Sequence, residues 1–385
     1  MTMAEHLRTI GTWSGQDVDA EAVQSQLTRL WRTGVERGQK NELPATARTN
    51  VLTLVAYAGT EQAATQVLDT VAALAEHHPS RTLLVRAEPG AAVPSLSADV
   101  VTRCRTDRPQ VCFEQIVLHA HGSIVEQVSS AVSSLLLRDL PTYLWWPGDV
   151  GDQAELLRRL IALCDGVIVD SATFADPVTA LPAVLDDAGQ QPGGGIADFQ
   201  WARLTGWRDG AARFFDSGAL RPFLGGITTV DLEFCSSAQS GPPWAALFYV
   251  AWLADRLGWR PDPSARPDPA MGQWTLIAGE RRVGVTIRTT APEGAAKVGV
   301  RAVRLGATLA GRNAIFTIER GADDQVTART TVDGEAPVEH TVLFPVPAYA
   351  TLLAQVLGYF RRDPVYEQTL RFLQEWLQAK SGGGR

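Results

Sequence analysis

Apolar positions in the first half of the chain switch repeatedly between a helical period and short continuous runs. Val23, Leu27, Leu30 and Trp31 recur at helical spacing, predicting an amphipathic helix that stops near Gly34. Residues 50–58 form an apolar run of strand length, closed by Gly59. Ala64, Val67, Leu68, Val71 and Leu74 then mark a helix that ends at His77-His78-Pro79, where proline cannot continue it. Arg81 to Val85 reads as the next strand, and Val100 to Arg105 with Val111 to Leu118 as a pair separated by residues 106–110. Ile124, Val128, Val132 and Leu135 predict another helix. It runs through the Asp139-Leu140-Pro141 turn into an apolar strand that finishes on Trp145-Trp146. Leu156, Leu157, Leu160 and Leu163 give one more helix, and residues 166–170 one more buried strand. Strands alternating with helices of this length predict an α/β fold. Its N-terminal sheet is mainly parallel, with helices on both faces.

The pattern changes after Gln190-Gln191-Pro192-Gly193-Gly194-Gly195. We therefore expect two domains, residues 1–185 and 186–385, divided near Gly193–Gly195. Residues 197–215 look helical with a break at Gly206 and Thr205 as a cap. Residues 227–235 alternate like a half-buried strand, and 244–257 form a helix apolar on much of its surface. Beyond the proline-rich loop at 261–269, runs near 273–278, 282–289, 298–308, 313–319, 325–332 and 338–344 alternate between turns. Two helices follow, at 346–360 and 364–379, and a disordered Gly-rich tail at 381–385. The second domain thus reads as α+β with an antiparallel meander.

Adjacent residues on a strand point to opposite faces, so Trp145 and Trp146 cannot share a layer. One belongs to the core, and the other faces a second layer, a cleft or a partner.

Composition narrows the function. The chain has 385 residues, 45% hydrophobic and 20% charged, with a net charge of −7, which disfavours nucleic-acid and acidic-membrane binding. No apolar run reaches the roughly 20 residues that span a bilayer. Four cysteines without a CxxC make neither a disulfide framework nor a zinc cluster. The expectation is a cytoplasmic protein without a membrane or nucleic-acid partner.

Candidate chemistry is sparse. Tyr57-Ala58-Gly59-Thr60-Glu61 lacks GxGxxG, and there is no Walker A, GxSxG or HExxH motif. The reading is accordingly no enzyme, no cofactor, no catalytic residue and no metal. His119 and His121 share a strand face, but no third ligand is identifiable. His78, Ser80 and Arg81 could together hold a phosphate or carboxylate; the other reading is a helix C-terminus tied to its loop. Cys104 and Cys112 fall opposite each other if residues 100–118 form a hairpin centred on Arg108. They are then either a redox-sensitive pair or two buried thiols. Finally, Trp201, Leu204 and Arg208 share one side of a continuous helix. That side either belongs to an interface or packs internally, with Arg208 paired to an acid.

Several of these segments occur in a telling order: His78-Pro79-Ser80-Arg81, Cys112 with Glu114, and Asp139-Leu140-Pro141 leading to Trp145-Trp146. They are followed by Trp201-Ala202-Arg203-Leu204-Thr205 with Trp207-Arg208, and by Ala251 to Trp259. Together they resemble the OpcA family of glucose-6-phosphate dehydrogenase assembly proteins. The resemblance implies a non-catalytic partner in the pentose phosphate pathway of carbohydrate metabolism. Such a protein binds glucose-6-phosphate dehydrogenase, favours its active oligomer and raises its activity as an allosteric activator. On that reading Trp145, Trp146, Asp139, Trp201, Arg203, Trp207 and Arg208 are the partner-binding or domain-junction candidates. The alternative is an enzyme or binding protein for a phosphorylated metabolite, using the loop from His78 to Arg81.

Overall fold

The computed structural model describes residues 7–39, 47–48, 50–75, 78–105, 111–191, 193–236, 243–264, 272–291, 298–321, 324–358 and 362–378. The expected tail at 381–385 lies outside the described residues. The first half contains β1 (Leu7–Gly15), α1 (Ala20–Gln39), β2 (Ala47–Arg48), β3 (Leu52–Ala58), α2 (Glu61–Leu74), β4 (Ser80–Glu88), β5 (Ser95–Arg105) and β6 (Val111–His121). It continues with α3 (Val128–Leu135), β7 (Thr142–Trp146), α4 (Ala154–Ile161), β8 (Gly166–Val169), α5 (Pro177–Gly189) and β9 (Ile196–Asp198). The second half contains α6 (Phe199–Arg203), α7 (Thr205–Arg213), β10 (Ile227–Cys235), α8 (Trp244–Arg256), β11 (Arg260–Pro261), β12 (Gln273–Ala278) and β13 (Arg281–Thr290). It ends with β14 (Gly299–Leu309), β15 (Arg312–Arg320), β16 (Gln325–Val332), β17 (Val338–Leu343), α9 (Tyr349–Gly358) and α10 (Pro364–Gln378).

These elements form two compact units that interleave along the chain. Unit 1 comprises Met1–Phe174, Ala183–Phe199 and Ala348–Arg362, and unit 2 comprises Ala175–Pro182, Gln200–Pro347 and Asp363–Arg385. The sheet of unit 1 runs β1-β5-β6-β4-β3-β7-β8-β9, with β2 beside β6. From β6 through β9 every neighbouring pair is parallel, as the alternation of strands and helices predicts. Along this run the strand first in sequence, β3, sits in the middle, and strand order reverses between β3 and β7. That is the doubly wound arrangement, whose crevice lies beyond the strand ends at the reversal. All seven residues of β3 are buried, so both of its faces are covered.

The predicted first helix continues past Gly34, because Gly34 is buried on the same stripe as Val23, Leu27 and Trp31. The antiparallel strand β1 went unpredicted; only Ile10 on it is buried, which leaves no apolar alternation to read.

Gly193–Gly195, where composition suggests a division, connects α5 to β9 inside unit 1. The glycines answer local geometry instead of marking a linker. Gly193 has φ +73°, and a side chain at Gly194 would run into the carbonyl oxygen of Ala188.

The sheet of unit 2 runs β11-β12-β13-β10-β14-β15-β16-β17. Of the six runs expected to form one antiparallel meander, the last four do so, while β12 and β13 pair separately from them. β10 enters between β13 and β14, parallel to the first and antiparallel to the second. Helix α8 is buried over most of its length and packs on α10, where Phe248 stacks on Tyr366 at 6.2 Å. The break between α6 and α7 falls at Leu204, not Gly206, and no side chain caps α7. Gly206 lies inside α7 because a side chain there would strike the ring of Phe344.

Candidate functional site

The crevice at the strand reversal is the first place to look for a site in this fold. Here the two strands that border it carry stacked aromatic rings at their ends. Tyr57 at the end of β3 stacks on Trp146 at the end of β7, with ring centroids 3.9 Å apart and planes 5° from parallel. The Trp146 indole N–H donates to the carbonyl of Asp149 at 3.2 Å. On the opposite face of β7, Trp145 packs against Phe199 at 6.0 Å and Tyr349 at 6.3 Å. Both tryptophans are 0% exposed and all these contacts lie within unit 1. Of the alternatives open for the second indole, the structure gives a second layer within unit 1, and both tryptophans are core. Alternation along the strand was right, but a helix near the C-terminus, α9, supplies Tyr349 as a cover for the second face.

The helix N-terminus beside this crevice is also occupied. The Thr60 hydroxyl accepts a hydrogen bond from the Ala63 amide at 3.2 Å, capping α2. Glu61 follows in the first turn and forms an ion pair with Arg86. A phosphate approaching these amides would meet a carboxylate already installed at the dipole's positive end.

The anion-binding reading of His78, Ser80 and Arg81 is likewise corrected. Ser80 and Arg81 open β4 and are each 1% exposed. The Arg81 Nε donates to Glu114 Oε2 at 2.7 Å, and its Nη1 donates to the carbonyl of Leu135 at 2.6 Å and to Gln24 Oε1 at 3.3 Å. The other oxygen of Glu114 accepts from the Trp31 indole at 2.8 Å. Two buried opposite charges thus satisfy one another, and an incoming anion would have to displace Glu114. A surface groove of about 450 Å³ is lined by Ala20, Glu21, Gln24, Ser25, Thr28 and Ser134, and Arg81 does not line it. His78 is half-buried, with its amide bonded to the Leu74 carbonyl at 2.9 Å.

In unit 2, the Trp201–Arg208 segment resolves toward internal packing. Trp201 donates through its indole to Asp363 Oδ2 at 2.8 Å, and the Arg208 guanidinium lies 3.3 Å above its ring. Burial pushes Arg208 down to about 10, with Asp363 opposing the shift; the group remains charged at neutral pH. Trp207, buried, meets Phe344 edge-on at 6.2 Å, with Arg320 5.7 Å from its ring centre. The expected pairing of Arg208 with an acid gives way to this stacking: Asp363 is held by the Trp201 indole, and Arg208 donates to Thr205 Oγ1 at 3.1 Å. Trp201 and Trp207 are not exposed anchors. Asp139 is exposed in its turn, and Arg203 is half-buried beside Gln200, 3.5 Å away.

Cys104 and Cys112 face each other across β5 and β6, with Cα atoms 4.0 Å apart, and are joined by a disulfide. The hairpin arithmetic located them correctly. His119 and His121 each bind a carboxylate, Asp99 at 2.9 Å and Glu88 at 3.3 Å. Among the described residues, no group of three or more His, Cys, Asp or Glu could hold a metal ion. No helix among them is long and apolar enough to cross a membrane.

One polar cluster had no sequence signal. At the ends of β8 and β9, Ser171 donates to Asp198 through its hydroxyl at 2.5 Å and through its amide at 3.0 Å. Tyr349 donates to Asp170 at 2.9 Å. Asp170 and Tyr349 are 179 positions apart, and only the placement of α9 brings them together. Ser171 is fully buried, so its hydroxyl serves the joint between the strand ends and is out of reach of a substrate.

Comparison with known proteins gives this arrangement a context. The glucose-6-phosphate dehydrogenase subunit N-terminal domain family (OpcA) matches residues 71–185, and the corresponding C-terminal domain family matches residues 194–370. The chain is 34% identical over 153 residues to the putative OxPP cycle protein OpcA of Nostoc punctiforme, covering 39% of this chain and 31% of that protein. It is 34% identical over 170 residues to the Synechococcus elongatus protein of the same description, covering 43% and 37%. The chain thus spans about a third of the length of the curated relatives it matches. Among solved structures, glucose-6-phosphate 1-dehydrogenase from Mycobacterium avium shares the fold at TM-score 0.51 and 12% identity, over 88% of this chain and 93% of that one. KijD10, a 3-ketoreductase from Actinomadura kijaniata solved with TDP-benzene and NADP, shares it at TM-score 0.50 and 12% identity, over 87% and 98%. With both family domains matched in order across most of its length, the chain belongs to the OpcA family of glucose-6-phosphate dehydrogenase assembly proteins.

Proposed function

We propose that this chain is a non-catalytic assembly factor that binds glucose-6-phosphate dehydrogenase, favours its active oligomer and so activates it allosterically. The observation that carries the non-catalytic part is the Tyr57–Trp146 stack. In a doubly wound sheet, ligands bind in the crevice at the strand reversal. Here the bordering strands end on two stacked aromatic rings, and the adjacent helix N-terminus carries Thr60 and Glu61. Family membership supports the identity of the partner. The competing reading, a phosphorylated metabolite held by the loop ending at Arg81, loses its cation to Glu114.

Activation by binding requires that the chain contact the active form of the dehydrogenase more strongly than the inactive form. A shift of about 50-fold needs only about 2.3 kcal/mol of differential affinity. The buried tryptophans act on such binding indirectly, by fixing each unit from within. Partner contacts fall to exposed groups such as Asp139.

Titrating the purified chain into the dehydrogenase, while following both oligomer size and rate against glucose 6-phosphate concentration, tests this. A complex with a raised rate is expected. An unchanged rate and two independently sedimenting proteins would sink the reading. A nicotinamide dinucleotide added to the chain alone is expected to leave its melting temperature unmoved.

A further inference from the structure

A sheet edge exposes a row of unpaired backbone donors and acceptors, and stable proteins blunt such edges with bulges, prolines, charges or short strands. Among the described residues, the two strand paths end at four strands, and three of these edges are blunted in that way. β1 carries an irregularity between Thr9 and Gly11. β9 is three residues long, and β11 is two residues long and ends on Pro261. The fourth edge, β17, is different. All six of its residues are exposed and its register with β16 is unbroken. Its sequence, Val-Glu-His-Thr-Val-Leu, has no proline and one carboxylate, Glu339, which Arg329 already neutralises.

Both valines of β17 are placed on one row, and Leu343, 75% exposed, lies on the other. Across the sheet, Val338 lies opposite Thr330, which lies opposite the buried Phe316; His340 follows Ala328 and Ile318 in the same way. Val338 and Val342 therefore extend the core face of the sheet beyond its cover, at 63% and 54% exposure. This edge is also complementary to itself. A two-fold axis through His340 pairs two antiparallel copies of β17 so that Val338 of each faces Val342 of the other. Glu339 of each then faces Thr341, and no two carboxylates meet. Directly opposed residues in such a pair have Cβ atoms about 4.5–5.5 Å apart, the range in which apolar pairs stabilise a sheet.

We propose that β17 is a dimerisation edge, and that its occupant is β17 of a second copy of this chain, paired antiparallel about His340. Two copies then share one continuous sheet through an isologous contact. The proposal is independent of dehydrogenase binding.

Three variants of the full chain test it, each at an exposed position of β17. The native chain should sediment as a dimer at tens of micromolar. Val342→Lys, which puts a charge on the edge, should raise the dissociation constant at least tenfold at an unchanged melting temperature. His340→Cys, across the axis from itself, should form a covalent dimer on mild oxidation. In this register Thr341→Cys meets Glu339 instead of itself. It should not cross-link, because its own copy is diagonal, at about 7–8 Å. A monomeric native chain overturns the proposal, as does a dimer indifferent to Val342→Lys or equal cross-linking of both cysteine variants. If the chain is monomeric alone and Val342→Lys abolishes only a complex with the dehydrogenase, the edge belongs to a different partner and the proposal fails.

Discussion

The two sheets solve the same burial problem in opposite ways. In unit 1, β3 and β8 are buried at every residue, because the parallel sheet is covered on both faces. In unit 2, β12 and β13 alternate between buried and exposed positions, and the exposed face carries ion pairs such as Arg288–Asp231 and Arg304–Glu233. Polar groups in the first sheet must find partners inside the protein, whereas those in the second can use water. The same pair of residue types therefore carries very different energetic weight in the two sheets. Arg81–Glu114 is closed from solvent, and Arg304–Glu233 is not.

The most severe way to probe that contrast is to remove one member of the enclosed pair. Arg81→Met leaves Glu114 buried with its charge uncompensated, and should cost about 3–5 kcal/mol in chemical denaturation. Replacing both residues with leucine and methionine should recover most of that loss, because no unpaired charge remains. If the single variant costs under a third of the predicted amount, the pair is wetter than the structure indicates.

The disulfide offers the next largest effect. It closes a short loop between β5 and β6, and the chain-entropy account gives about 2–3 kcal/mol for a loop of this length. Reducing it, or replacing Cys104 and Cys112 with serine, should lower the melting temperature, and reduction of the native chain should raise its thiol count by two over the buried Cys164 and Cys235. A thiol count that does not change with reductant would show that the pair is not oxidised in solution.

Arg208 in unit 2 should matter less. Arg208→Met removes the cation over Trp201, worth about 1–2 kcal/mol for a partly desolvated pair. The indole retains its bond to Asp363, so no buried charge is orphaned by the change. A loss as large as that of Arg81→Met would mean that the two units do not differ in the way their sheets suggest.

How far the sequence carried can be traced through individual residues. The parallel strands β3, β4, β6, β7 and β8 and helices α1 to α4 were legible because each is a local period. The meander was legible because every strand alternates between turns. Cys104 and Cys112 were located by hairpin pairing, which is also local. What stayed open or failed depended on distant cover. For Trp145, alternation says only that its face differs from that of Trp146, which leaves a second layer, a cleft or a partner open. It does not say that Tyr349, some 200 positions later, lies over it. Arg81 looked available for an anion because its counter-ion, Glu114, is on another strand 33 positions away. Both gaps arose where contact, not periodicity, decides exposure.

The smallest effect comes from the open face, and its pH dependence provides the sharpest contrast. Arg304 holds the carboxyl of Glu233 below the usual carboxylate range, against a smaller opposing effect of burial. Because the folded-state value lies below the unfolded one, near 4.3, the pair's stabilisation is complete above that pH. It is lost as pH falls through the lower, folded value. The pair is partly solvated and screened, so Arg304→Gln should cost less than about 1 kcal/mol at neutral pH. The difference between variant and native stability should shrink toward zero on acidification, and salt should shrink it as well. A cost that persists at low pH would mean that Arg304 acts through packing of its stem and not through its charge. Under that outcome the open face would be more like the enclosed sheet than its exposure suggests.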